Sequence, residues 1–222
     1  MATMVEATTR GQAPAEATTT ATPWYRDQRR LIGGVVLAVL LLGLVIWAVW
    51  TSGRRKEEFA AQRLNQARAA AEAGNLPLAS SELQRLIETY RGTDAATEAV
   101  ITLNQVRMIN GQGELAAVGL QEFLGQNPPE KYRAPAYGLL ATALENAKRP
   151  AEAAEAFRNA SKSADLDYLK ARYLIDAGRA YRSAGKAAEA QAAYREVIQK
   201  HPDAPSVTEA KVRLAELTDG KM

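Results

Sequence analysis

Residues 171–204 read ARYLIDAGRAYRSAGKAAEAQAAYREVIQKHPDA and contain two apolar patterns separated by a glycine. After Gly185, the residues Ala190, Tyr194 and Val197 stand at positions i, i+4 and i+7, which lie on one face of an α-helix. Pro202 closes the second pattern because proline cannot continue a helix. The stretch therefore predicts two helices joined by a tight turn.

The same pattern recurs along the chain with a period of 37 residues. The turn position holds Gly74, Gly111, Lys148 and Gly185. Five residues later every unit has an alanine, at Ala79, Ala116, Ala153 and Ala190. Four residues after the alanine, the same face holds Leu83, Leu120, Phe157 and Tyr194. Three residues further along, it holds Leu86, Phe123, Ala160 and Val197. Units that share one register are typical of a stacked array, in which neighbouring units bury one another's apolar faces.

We therefore predict an all-α chain with four repeats of period 37 over residues 60–204. The sequence Ser206-Val-Thr-Glu209 has the spacing of a capping box, in which the two side chains bond the first turn of a helix. It predicts a capping helix over residues 205–218 that covers the last repeat.

Residues 171–204 resemble a tetratricopeptide repeat. Leu174 takes the position usually held by Trp, Ala177-Gly178 that of Leu-Gly, and Tyr181 that of the first-helix aromatic. The resemblance is strong there, fair over 134–167, where Lys148 replaces glycine, and weak over 97–130 and 60–93. It implies a tetratricopeptide-like helical solenoid that binds other proteins.

An apolar segment precedes the repeats. Residues 31–50 read LIGGVVLAVLLLGLVIWAVW, and as a helix they would span about 30 Å, the thickness of a bilayer core. Arg29 and Arg30 precede the segment, and residues 54–56 (Arg-Arg-Lys) follow it. We predict a transmembrane helix rather than a cleaved signal peptide, because the run exceeds a typical signal core and no small-residue cleavage site follows.

The remaining segments are predicted from composition. Residues 1–30 are expected to form a disordered Thr/Ala-rich tail with a basic flank, because they have too few large apolar residues to offset the entropy of ordering. Residues 51–59 are expected to be a basic juxtamembrane linker. The basic residues on the two sides of the apolar segment nearly balance, so the positive-inside rule assigns no orientation.

Charge and composition exclude several functions. Residues 1–56 contain seven basic and three acidic residues, whereas the rest of the chain contains 21 basic and 22 acidic residues. The repeats therefore lack the basic footprint that nucleic-acid binding requires. There is no Cys and a single His, His201, so no metal set is predicted. We predict no cofactor, no small-molecule substrate and no catalytic residues.

The concave face of the solenoid, lined by the first helix of each repeat, is the predicted protein-binding groove. Its candidate residues are Gln105, Met108, Ile109, Thr142, Glu145, Asn146, Arg179, Arg182 and Ser183. Met, Ile, amides and Arg together suit an extended or helical peptide.

The layout of tail, single membrane helix and neutral repeats resembles the bacterial ancillary subunits of the Sec translocon. That resemblance implies a single-pass inner-membrane protein with periplasmic repeats, an envelope adaptor that assists secreted proteins, the translocon or chaperones. The alternative is a structural subunit of a larger membrane complex for secretion, cytochrome maturation or division. The sequence leaves the partner and the oligomeric state open.

Overall fold

A computed structural model describes the backbone of residues 24–218 and the side chains of residues 32–218. Residues 1–23 of the predicted tail lie outside this range, whereas residues 24–30, for which disorder was also predicted, are helical. The described residues form nine α-helices, which confirms the predicted all-α fold. They are α1 Trp24–Glu72, α2 Leu76–Thr89, α3 Asp94–Ile109, α4 Gly113–Gly125, α5 Glu130–Asn146, α6 Pro150–Ser163, α7 Asp167–Ser183, α8 Ala187–Lys200 and α9 Val207–Thr218.

The chain divides into two compact units, residues 1–51 and 52–222. In the first unit, the apolar side chains between Ile32 and Trp50 are exposed along α1. By length and composition, α1 is a candidate membrane span. Residues 51–59, the expected linker, are helical and belong to the same helix.

The second unit repeats its helix boundaries at the period of the sequence. The first helix of each pair, here called the A-helix, ends at Glu72, Ile109, Asn146 or Ser183. The second, here called the B-helix, begins at Leu76, Gly113, Pro150 or Ala187. Each set is spaced by 37 residues, so the four pairs are equivalent in register.

Every turn between an A-helix and its B-helix has the same left-handed residue. Gly74, Gly111 and Gly185 have φ angles of 80°, 75° and 73°, and Lys148 has 59°. At each turn this residue donates its N–H to the carbonyl three positions back. The next residue donates to the carbonyl five positions back, as in Lys148 to Glu145 (2.9 Å) and Arg149 to Leu144 (2.8 Å). These two bonds define a Schellman motif, which satisfies the last carbonyls of the A-helix and reverses the chain.

The B-helices bury the predicted apolar stripe. All twelve residues of that stripe are buried, and the four alanines are fully inaccessible. The core forms two clusters: one joins α1, α2 and α3, and the other extends from α4 to α9. The division falls between α3 and α4, inside the second repeat.

Small residues on the A-helices allow close packing. Tyr194 of α8 is fully buried, and its ring lies against Gly178 of α7 so closely that a Cβ at this glycine would overlap the ring edge. The packing of the Tyr194 ring therefore requires glycine at position 178.

Polar contacts also link successive A-helices in register. The Glu57 carboxylate accepts hydrogen bonds from the backbone N–H groups of Asp94 (2.8 Å) and Ala95 (2.9 Å) at the start of α3. The Asp94 carboxylate in turn pairs with Lys131 of α5 at 2.5 Å. Glu57, Asp94 and Lys131 are 37 residues apart, so α1 already takes part in the repeat pattern at Glu57.

The capping box predicted at Ser206 and Glu209 is wrong. The Ser206 hydroxyl is buried without a hydrogen-bond partner among the described residues. The Glu209 carboxylate lies 3.6 Å from Arg213 one turn further along α9, so it does not reach back to the start of the helix. The helix still begins at Val207, where its buried residues Val207, Ala210 and Leu214 pack on the last repeat.

Lys148→Gly is expected to raise the free energy of unfolding by about 0.5–1 kcal/mol. Glycine removes the Cβ strain of the left-handed conformation, at a smaller cost in unfolded-chain entropy. Thermal unfolding followed by circular dichroism measures the change. Lys211→Gly, the same substitution in the middle of α9, is the control and is expected to lower stability by about 1 kcal/mol. A Lys148→Gly protein that is no more stable than the wild type would contradict the assignment of this turn.

Gly178→Ala is expected to lower the free energy of unfolding by about 1–3 kcal/mol, because the added methyl group displaces the Tyr194 ring. Gly125→Ala is the matched control, because no atom lies within 4 Å of the added Cβ at that helical position. The double variant Gly178→Ala/Tyr194→Leu should lose less stability than the two single variants together. If denaturant unfolding shows that the losses in the free energy of unfolding simply add, residues 178 and 194 do not pack against one another.

Candidate protein-binding surface

The nine predicted groove residues occupy three equivalent positions on α3, α5 and α7. We call this surface the A-helix face. Three of its residues, Met108, Thr142 and Glu145, are half-buried. The other six are exposed: Gln105, Ile109, Asn146, Arg179, Arg182 and Ser183.

Ion pairs connect neighbouring helices along this face. At the α1 end, Arg68, which occupies the same repeat position as Gln105, pairs with Glu98 of α3 at 2.5 Å. At the other end, Arg182 pairs with Glu216 of α9 at 3.0 Å. These pairs are partly exposed, so each adds little stability, but they show that the face continues from helix to helix.

The C-terminal part of the face is an acid–base cluster. The Asp176 carboxylate, 8% exposed, pairs with Arg179 and, at 3.4 Å, with Arg172. Burial raises the pKa of Asp176, and the two guanidinium groups oppose that rise. Burial likewise raises the pKa of Glu145 on the neighbouring helix, with Arg179 opposing. Arg179 therefore pairs with Asp176 of its own helix and also favours the charged form of Glu145 in the preceding repeat.

Two hydroxyl groups of the predicted set are used within their own helices. Thr142 donates to the Gly138 carbonyl and Ser183 to the Arg179 carbonyl, both at 3.1 Å. Such bonds leave the oxygen lone pairs as acceptors for a ligand.

The N-terminal part of the face is less polar, and its side chains take part in fewer ion pairs and hydrogen bonds than those of the C-terminal part. Ile109 is 72% exposed, and Gln105 and Asn146 are also exposed. Met108 packs partly against the core cluster. An exposed isoleucine beside amides offers apolar contact and hydrogen bonding to a protein segment.

The structure also contains a polar seam that sequence reasoning missed, between the A- and B-helices of the second repeat. Its members are Asn104 and Arg107 of α3 and Gly119 of α4. Asn104 is 1% exposed; its amide nitrogen donates to the Val100 carbonyl (2.8 Å), and its oxygen accepts a bond from Arg107 (3.0 Å). A Cβ at Gly119 would lie 2.7 Å from the Asn104 oxygen, so the glycine makes room for the two polar side chains.

A comparison of repeat positions reveals the seam in the sequence. The position of Asn104 holds small residues elsewhere: Ala67, Ala141 and Gly178. The position of Arg107 holds uncharged residues elsewhere: Ala70, Leu144 and Tyr181. Burial lowers the pKa of Arg107, since a partly desolvated guanidinium is less favourable when charged. The seam coincides with the division of the core between α3 and α4.

Among the side chains of residues 32–218, no three His, Cys, Asp or Glu come together as metal ligands would. His201 ends α8, with its ring mostly buried and 3.6 Å from the Asp167 carboxylate.

Comparisons with known proteins agree with this geometry. A family model described as a tetratricopeptide repeat-like domain matches residues 23–219. The crystal structure of the MamA protein superposes with a TM-score of 0.57 at 20% identity, covering 74% of this chain and 83% of that chain. The nearly identical tetratricopeptide-like repeats of a putative kinesin light chain from Podosopora anserina give a TM-score of 0.57 at 18% identity, covering 72% and 85%.

No curated protein matches this sequence. At such low identity the two solved structures establish the fold alone. The family model covers most of the chain, including all the helix pairs and turns described above. This chain therefore belongs to the tetratricopeptide repeat-like domain family.

Proposed function

We propose that the chain is a membrane-anchored scaffold that binds other proteins along the A-helix face. The observation that carries the proposal is the exposed, little-engaged N-terminal part of that face, above all Ile109 with Gln105 and Asn146. Tetratricopeptide repeat-like domains generally act as protein-binding, non-catalytic scaffolds. Membership of the family therefore supports a binding role.

The anchor in this proposal is the apolar part of α1. Its side chains between Ile32 and Trp50 have no burial inside the chain. A run of exposed apolar residues of this length is costly in water and favourable in a bilayer. Retention of the segment after synthesis makes it an anchor, whereas cleavage would make it a signal sequence.

We also propose a compartment and a class of partner for the chain. The layout resembles that of ancillary Sec-translocon subunits, which supports a bacterial inner-membrane location with the repeats in the periplasm. There the A-helix face would hold a translocon subunit, a chaperone or a secreted client. These partners are proteins, in keeping with the near neutrality of residues 57–222.

The anchor and its orientation are testable with fusions. Alkaline phosphatase fused after Met222 is expected to be active in a bacterial host, and green fluorescent protein at the same point is expected to be dark. An epitope tag before Met1 should remain on the membrane-bound protein. Loss of the tag would identify a cleaved signal, and a fluorescent, phosphatase-negative chain would place the repeats in the cytoplasm.

The binding face is testable by site-specific photocrosslinking in native membranes. A photoreactive amino acid at Ile109 or Asn146 is expected to give discrete crosslinked protein bands. The same group at Gln199, exposed near the end of α8, is the control and should give few. Identical band patterns from all three positions would show that the A-helix face has no special role.

A further inference from the structure

A groove lies over α3, between the C-terminal part of α2 and α4. Two cavities, of about 550 and about 200 Å³, open into it and share five lining residues: Ile87, Val100, Glu122, Phe123 and Gln126. We call this the α3 groove. Its floor follows α3 from Ala96 to Arg107, twelve residues whose ends are about 16 Å apart along the helix.

The α3 groove is separate from the A-helix face. At 100° per residue, Ala96, Val100 and Arg107 point to a different side of α3 from Gln105 and Ile109. A ligand in the groove would therefore leave the A-helix face free.

The middle of the groove is apolar and its ends are basic. Ile87, Val100 and Phe123 line the middle, Arg91 stands at the end near Ala96, and Arg107 at the other end. Glu122 and Gln126 of α4 form one wall. The ionisable groups that line the groove are thus two guanidinium groups and one carboxylate.

Arg107 is a positioned cation that lacks an acidic partner. Among the side chains described, those of residues 32–218, Arg107 donates a hydrogen bond to Asn104, whose own buried amide donates to the Val100 carbonyl. No carboxylate of the described residues, Glu122 included, forms an ion pair with it. A partly buried guanidinium with unused donors is the arrangement that binds a carboxylate from outside.

We propose that the α3 groove is a second peptide-binding site, which takes an extended, acidic segment of a partner protein with an apolar side chain at its centre. The apolar side chain would pack among Ile87, Val100 and Phe123, and one carboxylate would accept hydrogen bonds from Arg107. A second acidic residue would meet Arg91. An extended chain rises about 3.3 Å per residue, so the groove accommodates about five residues.

The second repeat then has a reason for its departure from the repeat pattern. Asn104 and Arg107 replace the small or uncharged residues that the other repeats have between their two helices, and Gly119 leaves room for both polar side chains. The result is a guanidinium group placed in the groove. If the seam had only a structural role, apolar residues at these positions would make the fold more stable.

The test measures peptide binding to the purified full chain in detergent by fluorescence polarisation. The probe is a labelled peptide of sequence SDSLSDS, and the matched control is SNSLSNS. We expect SDSLSDS to bind at least about tenfold more tightly than SNSLSNS, because the amides cannot replace charge-assisted bonds. Equal binding of the two peptides, or no binding of SDSLSDS at millimolar concentration, would overturn the proposal.

Variants separate a binding role of Arg107 from a structural one. Arg107→Met is expected to weaken SDSLSDS binding by about tenfold or more while keeping or raising the melting temperature, because it removes an unpaired, partly buried charge. Glu122→Gln should tighten binding, and Arg195→Met on α8 should leave it unchanged. Undiminished binding by Arg107→Met would refute the site.

A further variant distinguishes peptide binding in the α3 groove from peptide binding on the A-helix face. Ile109→Ser alters the A-helix face and is expected to leave SDSLSDS binding unchanged. If Ile109→Ser abolishes binding and Arg107→Met does not, the peptide occupies the A-helix face. The α3 groove proposal would then be wrong, and the proposed function would stand.

Discussion

The fold depends on one backbone constraint, the left-handed residue that follows each A-helix. Four residues spaced by 37 adopt this conformation, and the same pair of backbone bonds closes each turn. Because the turn fixes where one helix ends and the next begins, it also fixes which B-helix residues face the A-helix. The fully buried alanines five residues after each turn then let the helices approach closely. Lys148 shows the strength of the constraint, since a non-glycine residue accepts the strained conformation to preserve the register.

The second repeat shows what the register permits. Its turn and its B-helix stripe match the others, but polar residues occupy the interior of the α3–α4 interface. The array tolerates this because each repeat packs mainly on its neighbours, so one altered interface does not disturb the rest. Two surfaces on different sides of α3 result: the A-helix face and the α3 groove.

The sequence was sufficient to predict the turns, the buried stripe and the all-α class, because these follow from local periodicity and from the demands of glycine and proline. The sequence did not predict which side chains contact one another when they lie far apart in the chain. Arg182 appears as a free groove residue in the sequence, but it pairs with Glu216 of α9. The box expected at Ser206 fails because Glu209 has a nearer partner in Arg213. Asn104 and Arg107 lie in the stretch 97–130, where the repeat resemblance is weak, and they are not among the predicted site residues. Their role becomes visible only from their proximity to Gly119 in the fold.

The most direct test is the folding of residues 52–222 alone, measured by circular dichroism during thermal unfolding. We expect a predominantly helical spectrum and one cooperative transition, because the four turns, the buried stripe and the contacts linking Glu57, Asp94 and Lys131 all lie within this fragment. A spectrum dominated by strand or coil, or helix that melts without cooperativity, would contradict the claim that the register of the four turns determines the fold.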